Sequence, residues 1–111
     1  MKLNIYGKVD GKKAVVKTYE VGTYDLMFGT CEDVANVVDL DQLKTGTDAE
    51  IVKMVGSAVI NSKDTIKTLL LDIFEGLTEA ELKNTKIKEI AGVLVDVVKY
   101  TITQLTANSK N

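Results

Sequence analysis

The sequence predicts a mainly helical α+β domain in which an N-terminal β-hairpin packs on four to five helices. Three observations carry that expectation. Lys2–Tyr6 alternates polar and apolar and Ala14–Glu20 is rich in Val, Thr and Tyr on the two sides of an Asp-Gly pair, and after Gly29 the apolar spacing lengthens from two residues to three or four. In addition, Thr30-Cys31-Glu32-Asp33, Thr47-Asp48-Ala49-Glu50 and Thr78-Glu79-Ala80-Glu81 each set a threonine three residues before an acid, the signature of a helix start. With 111 residues the chain has the length of a single domain, read as a hairpin over 2–20, a helical part over 30–105 and a frayed tail over 106–111.

In the hairpin, Lys2–Tyr6 places Leu3 and Ile5 on one side, and Ala14–Glu20 is rich in Val, Thr and Tyr. Both segments read as strands. Asp10-Gly11 between them suits a tight turn, because glycine supplies the positive φ that hairpin turns require. Tyr24, Leu26 and Phe28 also alternate, which suggests a third short strand between Gly22 and Gly29.

The first helix is expected to start at the Thr30 cap, face inward with Val34, Ala35 and Val38, run to about Leu40 and stop around Lys44-Thr45-Gly46. A second, capped by Thr47, turns Ile51, Met54, Val55, Ala58 and Val59 inward and pauses near Asn61-Ser62. From Lys63 a third carries Ile66, Leu69, Leu70, Ile73 and Phe74 on one stripe, with Gly76 as its C′ residue. A short helix from the Thr78 cap to about Lys83 precedes the longest, Lys86–Leu105, whose main stripe is Ile87, Ala91, Leu94, Val98, Ile102 and Leu105.

On that last helix Val93, Val97 and Tyr100 widen the apolar arc well beyond the ~100° of an ordinary surface helix, so it needs more than one partner. One is expected to be a second copy of the chain. The candidate protein-interaction surface is therefore Leu71, Val93, Val97 and Tyr100, Leu71 being included because it lies off the stripe of its own helix. The competing reading makes the last helix the central, buried helix of a monomer.

Composition narrows the function. The chain has no histidine, and all 14 basic residues are lysine, so the commonest general base and the usual bidentate grip on phosphate or carboxylate are both missing. A net charge of -2 removes the electrostatic basis for non-specific nucleic-acid binding. One cysteine permits no internal disulfide, and apolar runs such as Leu69-Leu70-Leu71 and Val93-Leu94-Val95 are far short of the ~20 residues of a membrane span. No apolar stretch of signal-peptide type follows Met1, so a soluble, cytoplasmic, non-enzymatic protein is expected.

Individual candidates fare no better as chemistry. Cys31 has no partner base and reads as a small buried apolar residue. The pair Asp39 and Asp41 reads as a solvated helix end, and the pair Glu79 and Glu81 as helix capping. Gly7, Gly11, Gly22 and Gly29 are too scattered for a phosphate loop, and Lys12-Lys13 and Lys83 to Lys88 read as solvated surface. No metal or cofactor is implied. The excess of apolar helix surface is what remains, and it points to protein–protein interaction.

At Tyr24-Asp25-Leu26-Met27-Phe28-Gly29-Thr30-Cys31-Glu32-Asp33-Val34 with Val38-Asp39-Leu40-Asp41, and again at Asp72-Ile73-Phe74-Glu75-Gly76-Leu77-Thr78-Glu79-Ala80-Glu81-Leu82-Lys83, the chain resembles the tail assembly chaperones of long-tailed phages and prophages of Gram-positive bacteria. Thr85-Lys86-Ile87-Lys88-Glu89-Ile90 and Val97-Val98-Lys99-Tyr100 extend the similarity. The resemblance implies a protein that binds the long, helix-rich tape measure protein in the host cytoplasm, keeps it soluble while tail tube subunits polymerise around it, and is absent from the mature virion. It also implies a longer, frameshifted product that shares these residues and recruits the tail tube protein; Ser109-Lys110-Asn111 is a sequence that an adenine-rich run can encode. The alternative is a small regulatory or nucleic-acid-binding phage protein.

Overall fold

The computed structural model describes residues 1–38 and 47–109. Strands β1 (Lys2–Val9) and β2 (Lys12–Glu20) are followed by a 3-10 turn at Thr23–Asp25. Then come the helices α1 (Phe28–Val37), α2 (Asp48–Asn61), α3 (Lys63–Ile73), α4 (Glu79–Leu82) and α5 (Ile87–Ser109). The fold is α+β and mainly α, as the sequence predicts.

The hairpin closes through Asp10 (φ 52°) and Gly11 (φ 79°), two successive positive φ angles that match the right-handed twist of the flanking strands. That turn lets pairing run up to Val9 and Lys12, so both strands are longer than their alternation suggests. A bulge at Ile5/Tyr6 leaves Val16 unpaired, and Gly7 provides its room: a β-carbon there would lie 3.0 Å from the Val16 Cγ1. Only the base of the hairpin is packed. Leu3 and Ile5 are buried, whereas Val9, Val15 and Val16 nearer the turn are exposed.

Among the described residues no third strand follows. Gly22 stays extended (φ -79°, ψ 150°), so the chain does not reverse onto β2, and the amides of Asp25 and Leu26 bond to the carbonyls of Gly22 and Thr23 in a 3-10 turn. Helix α1 begins at Phe28, earlier than the expected Thr30 cap, because the Met27 carbonyl accepts from the amides of both Thr30 and Cys31. Thr30 is buried inside the first turn, Val34 and Val38 face the core as expected, and Ala35 is exposed with Val37 half-buried in its stead. The expected end near Leu40 and stop at Lys44-Thr45-Gly46 lie outside the described residues.

The other two caps form where the sequence places them. Thr47 Oγ1 accepts the Glu50 amide at 3.3 Å to open α2, and at α4 the box is reciprocal, with Glu81 N to Thr78 Oγ1 and Thr78 N to Glu81 Oε1 both at 3.2 Å. Helix α3 buries its expected stripe, and Phe74 just beyond it meets the Tyr19 ring edge-on at 6.4 Å, joining hairpin to helices. Gly76 (φ 89°) then turns the chain back toward α4 in a conformation that side chains disfavour.

Helix α5 is the central element and packs against α1, α2 and β1. Its buried stripe is Val93, Leu94, Val97, Val98 and Thr101, with the Thr101 hydroxyl returned to the Val97 carbonyl at 2.8 Å. Ile87, expected at the head of the stripe, is 73% exposed, while Ala91 and Ile102 are half-buried. The helix backbone also continues past the expected end at Leu105 to Ser109, since neither glycine nor proline interrupts Thr106 to Ser109. The Leu105 side chain, and Lys110 and Asn111 of the expected frayed tail, lie outside the described residues.

Candidate functional site

The four residues expected to form an interaction surface are not an exposed group. Val93 (3% exposed) and Val97 (0%) are covered within the single chain, because the wide arc of α5 finds its partners in α1, α2 and β1. Leu71 is half-buried against the core, and Tyr100 is half-buried on α5. An apolar arc too wide for one partner thus reflects several neighbours from the same chain.

The apolar surface that remains open lies elsewhere. One groove of about 560 Å³ runs between α2 and the start of α5. Exposed Val52 forms one wall, and Lys88, Ala91, Gly92, Val95 and Asp96 form the other. These α5 residues follow the three-and-four spacing of a single helix face over about two turns, roughly 12 Å. At its middle, a β-carbon on Gly92 would meet nothing within 4 Å, so the floor is open to a partner's approach.

A second groove, of about 240 Å³, lies where α2 ends, α3 begins and α4 meets α5. Its floor is Val59, Ile66, Leu70, Leu82 and Ile90, with exposed Ile87 as a wall; Lys63, Lys67 and Lys83 stand around it with Glu79. It falls below the ~300–1,000 Å³ typical of drug-sized ligand sites and suits one or two side chains.

The third feature is a knob. Met27 and Phe28, at the start of α1, are 73% and 78% exposed. Among the described residues, the depressions beside Met27 are lined by Glu20, Asp25, Glu32, Asp33, Asp72 and Glu75 and by no lysine.

Charge chemistry among the described residues serves the scaffold. The Glu89 carboxylate accepts the Asn4 amide at 3.2 Å and the Tyr6 hydroxyl at 2.5 Å, while the Asn84 carbonyl accepts the Tyr6 amide at 2.8 Å. These bonds occupy the outer edge of β1. The negative charge beside it raises the Tyr6 pKa above its ordinary value, mainly through the hydrogen bond to Glu89. Glu81 accepts the Tyr19 hydroxyl at 2.6 Å and pairs with Lys17 at 3.3 Å. Its pKa is lowered, chiefly by the Tyr19 hydrogen bond and further by Lys17, against an opposing push from burial.

No family model, curated protein or solved structure matches this chain. The site is therefore read from geometry. Cys31 is half-buried, less covered than the sequence suggests, and among the described residues no group of three or more cysteine and acidic side chains is placed to hold a metal ion. Among the described residues, too, no buried side-chain nitrogen or oxygen lacks a partner, and no helix is long and apolar enough to cross a membrane. The sequence reasoning missed Glu89 and Glu81 as the acids that hold the hairpin. It also missed Phe28 and Ile87 as exposed apolar side chains, although Ile87 sits between Lys86 and Lys88, a setting that favours the surface.

Proposed function

We propose that this protein is a non-enzymatic tail assembly chaperone that binds the tape measure protein in the host cytoplasm, keeps it soluble during tail morphogenesis and leaves before the virion is complete. The observation that carries this reading is the α2–α5 groove, with an exposed apolar wall at Val52 and an open floor at Gly92. A long helical client exposes apolar stripes before tube subunits cover them, and an amphipathic helix laid in an apolar groove buries such a stripe. The resemblance in the Tyr24–Asp41 and Asp72–Lys83 blocks supplies the client's identity.

Co-expression tests the proposal. The tape measure protein is expected to move from the insoluble to the soluble fraction when this chain is present, and Gly92→Gln, which fills the groove from an open position, is expected to reverse most of that gain while the variant stays folded. A tape measure protein equally insoluble with and without this chain overturns the reading. Retardation of DNA with a steep salt dependence would favour the regulatory or nucleic-acid-binding alternative in its place.

A further inference from the structure

We infer that the smaller groove, where α2 ends, α3 begins and α4 meets α5, is a docking site for an acidic amphipathic helix of another protein. It shares no lining residue with the α2–α5 groove, so the inference stands apart from the proposed client. Size sets the anchors. On the floor, Ile66 and Leu70 stand one turn apart on α3, roughly 6 Å along its axis, and Lys63 and Lys67 border them with the same spacing. With about 240 Å³ available, the floor takes two apolar side chains that are likewise one turn apart on the partner, and exposed Ile87 lies beside them.

Charge sets the sign of the partner. Lys63, Lys67 and Lys83 stand on the rim against the single carboxylate of Glu79. The chain as a whole carries a net charge of -2, so this local excess of lysine runs against the overall sign and is not a by-product of it. Lysine stems lie along apolar surface while their ammonium groups stay in water, which puts positive charge where the flanks of a bound segment pass. Acidic flanks are drawn in by that rim and basic ones are turned away.

The walls set its conformation. Every lining residue belongs to a helix or a helix cap, so the groove presents no sheet edge. An extended segment would lay its amides over an apolar floor that has no groups to pair with them, whereas a helix satisfies its own backbone and offers only side chains. Other anions fit less well. Among the described residues that line the groove none is aromatic, so it has no platform for stacking nucleic-acid bases. A fatty acid brings one carboxylate to a rim of three lysines, where the flanks of an acidic helix bring several.

Fluorescence anisotropy on the full chain tests this with two labelled peptides of about 15 residues, long enough to form a helix, each carrying a pair of leucines one turn apart. One peptide has glutamates on its flanks and the other has lysines. The acidic peptide is expected to bind, with affinity falling several-fold between ~0.05 and ~0.5 M salt, and the basic peptide to bind about tenfold more weakly, the sum over several exposed charge pairs. I87E is expected to abolish binding of the acidic peptide, because it sets a carboxylate beside the leucine pair. K63E/K83E is expected to reverse the preference, so that the basic peptide binds it better than the acidic one. Lys63 and Ile87 open α3 and α5, where a glutamate suits the helix dipole, and circular dichroism checks that each variant stays folded; K67E/K83E takes the place of K63E/K83E should that pair misfold. Equal binding of the two peptides by the native chain overturns the proposal, as does acidic-peptide binding undiminished in folded I87E or a charge-reversed variant that keeps the native preference. Displacement of the acidic peptide by octanoate at an equal concentration also overturns it, and makes the groove a site for small anionic amphiphiles.

Discussion

At the scale of single residues, the attachment of the hairpin depends on two carboxylates with different neighbours. Glu81 has a folded pKa below its ordinary value because the Tyr19 hydroxyl, and then Lys17, favour the charged form. A depressed carboxylate stabilises the fold above its unfolded pKa of ~4.3, and that contribution is lost as pH falls through the lower folded value. Tyr6 has the opposite sign: its raised pKa contributes stability fully present below ~10 and lost as pH rises through the folded value. Thermal unfolding followed from neutral into acid should therefore show Glu81→Gln melting below the native protein at neutral pH, with the two curves converging once the carboxylate is protonated. Curves that stay parallel through the acid range would assign the effect to packing and not to charge.

Among elements, local signals were legible and choices between adjacent faces were not. The caps at Thr47 and Thr78 could be read because a hydroxyl and an amide three residues apart need nothing from the rest of the chain. Thr30 carries the same signature and fails, since the Met27 carbonyl takes its amide and packing buries its side chain. On α5 the Ile87–Ala91 and Val93–Val97 stripes are neighbours with similar apolar content. Burial takes Leu94 and Val98 from the first and Val93 and Val97 from the second, a choice set by where α1, α2 and β1 lie that no spacing within α5 records. Val93 and Val97, offered as an interaction surface, are covered within the chain for this reason, whereas the hairpin and the core stripe of α3 were legible in the sequence. Thr78→Ala is expected to cost about 1 kcal/mol, a fall in Tm of ~4–8 °C for a domain of this size, measurable by calorimetry.

Taken whole, the molecule is 55 Å long and 25 × 21 Å across, a helical body with a hairpin whose turn carries little packing. Its two parts are joined by Leu3 and Ile5 in the core, the Tyr19–Phe74 contact, and the bonds of Glu89 and Asn84 to β1. Glu89→Ala removes acceptors from the Asn4 amide and the Tyr6 hydroxyl without touching the stripe of α5. Hydrogen exchange should then accelerate in the hairpin more than in α3, because the edge of β1 opens locally while the helices remain folded. Equal acceleration in both would mean that hairpin and helices unfold as one unit.

The bonds that close β1 also set an order of events during synthesis. Asn4 and Glu89 are 85 residues apart, so β1 leaves the ribosome well before the helix on which it docks. Until then Leu3 and Ile5 have no cover, and the unprotected edge of β1 is open to other strands. At ~5–20 residues per second this interval lasts on the order of 4–17 s, during which the hairpin can form through its own turn but cannot dock. The nascent chain thus passes through a stage in which it exposes apolar surface of its own, and a ribosome that pauses before Glu89 prolongs it.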